Sequence, residues 1–195
     1  LFRSSISFNM LFLEEIWSRN FTNLFIAPLK VSEIISALTA TALIRTLIGI
    51  VPAILIASPF FGVSLLNLGP ALILLLLSLY TFGMTLGLLV VSGLLRYGPA
   101  FENVAWSSLF LLAPLGCIYY PLSILPDWLQ IIAKGLPLVY IFEEVRSILL
   151  NNVVNYSNIM SALFLNSIYF LLSVFIFYSA FKEARKRGTL INVGE

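Results

Sequence analysis

Long apolar runs, each closed by a cluster of polar or charged positions, set the rhythm of this chain. Crossing a hydrocarbon core of about 30 Å takes roughly 20 helical residues. Residues 34–57, 70–95, 103–122 and 159–181 are each long enough. The last three hold no Asp, Glu, Lys or Arg, and the first holds one charge, Arg45, near its middle. Barrel strands would alternate apolar and polar positions, whereas Ala71 to Leu79 is almost unbroken Leu and Ile. The pattern predicts an all-α, polytopic transmembrane helix bundle forming a single domain over residues 1–195. Residues 1–13 read as the end of a partial span: Ile6–Leu13 is short, and Glu14-Glu15 interrupts it.

Two segments between the spans carry a different pattern. Over residues 14–30, Trp17, Phe21, Leu24, Phe25 and Pro28 recur at helical spacing, while Glu15, Ser18, Arg19 and Thr22 fall on the other face. This predicts a helix lying along the membrane and ended by Ala27-Pro28. It suits an interfacial anchor held by its aromatic residues and equally a docking helix for a partner. Residues 123–158 are too interrupted to span and too apolar for a solvated loop, and they predict a helical hairpin. Pro126 sets the start of its first helix, with Asp127, Gln130 and Lys134 opposite Trp128, Ile131 and Ile132, and Gly135 closes it. After Pro137, Ile141, Val145, Ile148 and Leu149 share one side of a second helix, and Glu143, Glu144 and Ser147 another. Such a hairpin would dip into the outer leaflet or cap the bundle.

Composition agrees with burial in lipid: 60% of residues are hydrophobic and 10% charged, against about 45–50% and 25% in soluble domains. With no His and a single Cys (Cys117), the chain offers no zinc site, no His-based triad and no internal disulfide. A net charge of +2 argues against nucleic acid as a partner. Basic residues in short loops are retained on the cytoplasmic side. Even alternation of the spans collects Arg3, Arg19, Lys30, Arg96 and the 182–187 cluster on one face, and leaves Lys134 and Arg146 on the other. The expected location is the inner (plasma) membrane, with residues 182–195 forming a cytoplasmic tail.

Two motifs in this order resemble one family. Glu14-Glu15-Ile16-Trp17-Ser18-Arg19-Asn20-Phe21-Thr22-Asn23-Leu24, followed by Ala27-Pro28-Leu29 and Glu33-Ile34-Ile35, resembles the cytoplasmic coupling region of type-2 ABC exporter permeases. Tyr120-Pro121-Leu122-Ser123-Ile124-Leu125-Pro126-Asp127-Trp128-Leu129, then Leu136-Pro137-Leu138-Val139-Tyr140 and Glu143, Glu144 and Arg146, is similar to that family's hairpin before the final span. The resemblance implies that the chain begins at the end of the second of six spans. It also implies partners: an ABC ATPase dimer that holds the ATP and Mg, and a second permease, identical or related, beside which the substrate path runs among membrane lipids. Glu14, Glu15, Trp17, Arg19, Phe21, Phe25 and Pro28 would then contact the ATPase.

No Gly-x-x-x-x-Gly-Lys-[Ser/Thr] phosphate loop is present, so hydrolysis is expected on another polypeptide or domain, and no residue here is expected to be catalytic or to hold a metal or cofactor. Arg45, as an intramembrane charge, is expected to face protein, water or an anionic substrate rather than lipid. A secondary transporter would need Asp, Glu or His within its spans for a proton relay, and a membrane assembly or scaffold protein would use its helices simply to hold partners.

Overall fold

The computed structural model describes Glu14 and residues 31–61, 69–98, 101–151 and 153–187. Among these residues the fold is helical: α1 (Val31–Phe61), α2 (Pro70–Tyr97), α3 (Glu102–Leu115), α4 (Asp127–Ala133), α5 (Pro137–Asn151) and α6 (Tyr156–Arg187), with a 3₁₀ turn at Leu122–Ile124. Three of these, α1, α2 and α6, are long and apolar enough to cross a membrane. Several hydroxyls inside them are absorbed locally. The hydroxyls of Thr81, Thr85, Ser92 and Ser167 each donate to the carbonyl four residues back, which removes their need for water.

α2 is the axis of the bundle, and its principal partner is α6. Its first half (Ala71, Leu75, Leu79, Phe82) packs with Ile159 and Ala162, and its second half (Leu88, Val91, Leu95) with Phe177, Phe181 and Ala184. The two helices therefore run parallel. Parallel neighbours require the intervening chain to return to the starting face, a task that falls to α3. α5 packs through Leu138, Ile141, Phe142 and Ile148 onto the first halves of α2 and α6. The hairpin thus caps one end of the bundle, while Arg96, Lys182 and Lys186 lie at the other. α1 touches the bundle through Ala42 and Ile35, and the Tyr80 hydroxyl donates to its Thr39 carbonyl.

Two sequence expectations are amended, the length of the run ending in α3 and the faces of α5. The run expected over residues 103–122 is helical only to Leu115, about 21 Å of helix. Pro114 lacks a backbone donor, Gly116 donates back to the Leu112 carbonyl, and Cys117 turns to a φ of 54°. On α5, Glu144, expected on the polar side, is fully buried, and Leu149, expected on the apolar side, is exposed. On α4 the apolar face (Trp128, Ile131, Ile132) points outward, and Ala133 faces the interior.

The end of α2 shows why two glycines stand where they do. Gly98 holds a φ of 77° and donates its N–H to the Leu94 carbonyl, closing the helix in a conformation that favours residues without a Cβ. Gly93 lies directly under the Phe101 ring, in space that a Cβ would fill. Phe101 in turn stacks on Tyr97, with centroids 5.8 Å apart. Gly83 and Gly87, spaced as G-x-x-x-G, are both buried along the same helix.

The parallel arrangement is directly testable. In a Cys117→Ser background, single cysteines replacing Asn155 and Lys186 should react with an impermeant thiol reagent from opposite sides of a sealed membrane. Reaction of both from the same side would contradict it.

Candidate functional site

The hairpin candidates converge on a polar scaffold built from three charged side chains of α5. Arg146 donates through Nη1 to Glu143 Oε1 at 2.7 Å. Its other nitrogen, Nη2, donates to the carbonyls of Cys117 (2.8 Å) and Tyr120 (3.1 Å). The same Glu143 oxygen accepts from the Leu122 N–H at 2.8 Å. One ion pair therefore holds the whole turn between α3 and the 3₁₀ element. Such a clamp is needed because Cys117 is buried and left-handed, a conformation that costs a non-glycine residue about 1–2 kcal/mol. The Tyr120 hydroxyl adds a bond to the Pro114 carbonyl at 2.8 Å.

Glu144 points the other way. Its oxygens accept from the Asn155 N–H (2.6 Å) and the Asn158 side-chain amide (3.1 Å) at the start of α6. Asn155 is the N-cap, its Oδ1 accepting from the Ser157 N–H at 3.1 Å. A buried carboxylate at a helix N-terminus satisfies donors that the helix itself leaves open and meets the positive end of the dipole. Pro126 precedes α4 and Pro137 is the first residue of α5, where a missing N–H costs nothing. Trp128 is exposed and joins none of this network. The Tyr169 hydroxyl of α6 donates to the Gly135 carbonyl at 2.9 Å, tying the hairpin's central turn to the bundle.

Arg45 has the ionic partner its position demanded. Nη1 and Nη2 donate to Oε1 and Oε2 of Glu14 at 3.0 and 2.8 Å, a fork-to-fork pair. Both side chains stay about half exposed, 45% and 49%. Glu14 thus meets α1 fourteen residues beyond its first residue, about 21 Å along the axis, rather than at its start. Its carboxylate was expected to orient an ATPase contact, and here it is committed to Arg45. Glu15, Trp17, Arg19, Phe21, Phe25 and Pro28 lie outside the described residues.

One polar site escaped the charge-based reading. Asn166, buried on α6, donates through Nδ2 to the backbone carbonyl (2.8 Å) and hydroxyl (2.6 Å) of Ser78 on α2. Its Oδ1 and the Thr46 hydroxyl are buried without a hydrogen-bond partner among the described residues. The signal was present, because Asn166 is the one Asn within residues 159–181.

With this arrangement in place, comparison with known families gives a direct answer. The ABC-2 type transporter family matches residues 1–150, most of the chain. The protein belongs to this family and is the membrane-embedded transport component of an ABC-type transporter. No curated protein matches it.

The scaffold makes a stability prediction. Glu144→Ala strands the Asn155 N–H and the Asn158 amide, and should cost about 1–3 kcal/mol. Glu144→Gln, which keeps one acceptor, should cost less. Thermal unfolding of the purified protein in detergent measures both, and equal midpoints for wild type and Glu144→Ala would refute the role.

Proposed function

We propose that the chain is the permease subunit of an ATP-driven exporter, forming the substrate path with a second permease and driven by a pair of cytoplasmic ABC ATPases that hold ATP and Mg. The observation that carries this reading is the family match over residues 1–150, because that range includes the amphipathic stretch, Arg45 and most of the hairpin together. The C-terminus is cytoplasmic in this proposal, supported by the excess of Lys and Arg at the end of the bundle opposite the hairpin.

The mechanism follows from where forces can be transmitted. Closure of the ATPases on ATP moves the segment around Trp17, Phe21 and Phe25, whose aromatic side chains suit a groove and whose neighbours Glu15 and Arg19 fix orientation. The Glu14–Arg45 pair then joins that segment to α1, so displacement of one pulls on the other. In water such an exposed pair contributes only about 0.2–1 kcal/mol. An unpaired arginine at the centre of a span costs at least about 2.5–3.5 kcal/mol, so the pair is hard to break in the membrane. The hairpin, clamped by Glu143, Glu144 and Arg146, follows α6 as one body. Motion of this kind biases a bundle between two packed arrangements rather than deforming it continuously.

Two measurements test the proposal. Phe21→Ala with Phe25→Ala should lower ATPase recovered per inserted permease, or uncouple hydrolysis from transport, at unchanged membrane insertion. Arg45→Glu should abolish stimulated hydrolysis in the reconstituted complex, and the exchange Glu14→Arg with Arg45→Glu should restore a substantial part of it. An unchanged ATPase ratio with unchanged transport would defeat the coupling reading.

A further inference from the structure

The seam between α2 and α6 opens, near the C-terminal ends of both helices, into a cavity of about 310 Å³ lined by Leu89, Ser92, Arg96 and Tyr97 from one helix and Phe175 and Ser179 from the other. Its chemistry changes along the helix axis. Leu89 and Phe175 form the end toward the middle of the bundle, and Arg96 forms the other, about 10 Å further on. Ser92 and Ser179 lie between. Phe175, Tyr97 and Arg96 are exposed, so the cavity faces the bundle's surroundings rather than its core. On α6 the stripe Phe175, Ser179, Lys182 and Lys186, at i, i+4, i+7 and i+11, continues from apolar to cationic past the cavity. Lys182 and Lys186 are exposed. Glu183, on the adjoining stripe, is already engaged in an interaction of its own.

We propose that this cavity is a binding site for an anionic phospholipid of the surrounding bilayer, with the phosphate on Arg96 and Lys182 and the first part of an acyl chain against Leu89 and Phe175. The volume is at the lower end of ligand pockets, about 300–1,000 Å³. It accommodates a headgroup and the start of a chain, leaving the rest of the lipid in the bilayer. The charge at one end excludes a purely apolar occupant, and the apolar other end gives a free phosphate nothing to gain there. Clustered Lys and Arg at a membrane face attract anionic lipid generally. Here a cleft adds shape, because Gly93 lets the Phe101 ring lie against α2 and hold Tyr97 at the rim. The site is independent of the transport reading, since it needs only that the chain be in a membrane.

Two variants separate a built site from general attraction. Arg96→Gln removes charge and keeps the space, whereas Ser179→Trp fills the space and keeps the charge. Full-length protein, with any partners it copurifies with, is exchanged into detergent containing phosphatidylglycerol and phosphatidylcholine in equal amounts, and retained lipid is counted by native mass spectrometry. Wild type should retain phosphatidylglycerol at least severalfold over phosphatidylcholine, and each variant should lose most of that preference. Excess soluble glycerophosphate should not compete. Equal retention of both lipids by wild type would overturn the proposal. So would loss in Arg96→Gln alone, which indicates surface attraction, or displacement by glycerophosphate, which indicates a site for free phosphate. A melting temperature near that of wild type for at least one variant keeps the comparison on folded protein.

Discussion

Ser78 and Asn166 meet in the apolar interior between two parallel helices, and that contact fixes how one long helix slides against the other. Leucine-rich surfaces pack acceptably in several registers, and lipid tails are as apolar as the helices themselves, so apolar burial alone selects none of them. A side-chain amide that must find its partner selects one. Once Asn166 is opposite Ser78, Ile159 and Ala162 fall beside Ala71 and Leu75, and Phe177 and Phe181 beside Leu88 and Leu95. α5 then has a defined corner to fill. The Oδ1 of Asn166, without a partner among the described residues, is a cost carried within this interaction.

The hairpin is ordered by the same principle carried further, with ionic and hydrogen-bonded clamps added to its apolar packing. Glu143 and Arg146 hold the turn before it, Glu144 holds the turn after it, and all three sit within four consecutive positions of α5. A short helix thereby governs both ends of its own connection. That economy explains why α4 can leave Trp128, Ile131 and Ile132 exposed: the hairpin does not depend on them for its position.

The spans α1, α2 and α6 were legible in the sequence because apolar length is a local property, and the helix starts at Pro70 and Pro137 were legible because proline fixes φ locally. The early end of α3 was written in Pro114 and Gly116, but such punctuation is shared by a kink and a terminus, and only the Cys117 turn decides between them. Charge at Arg45 foretold a partner without naming Glu14, whose position 31 residues away is set by tertiary structure. The burial of Glu144 was not legible, since its two partners lie across a turn on another helix and periodicity within α5 cannot see them. The pairing of α2 with α6 was equally hidden, because a helix apolar on every side announces no preferred face.

Parallel neighbours also have an electrical consequence. Peptide dipoles in α2 and α6 point the same way, so the partial negative charges of both C-terminal ends accumulate at one face, where antiparallel helices would have cancelled them. Arg96 stands in the last turn of α2, and Lys186 in the last turn of α6. Each cation so placed offsets that repulsion by about 0.3–1 kcal/mol. The charges that gather at the end of the bundle opposite the hairpin therefore also neutralise the end of its own helix pair.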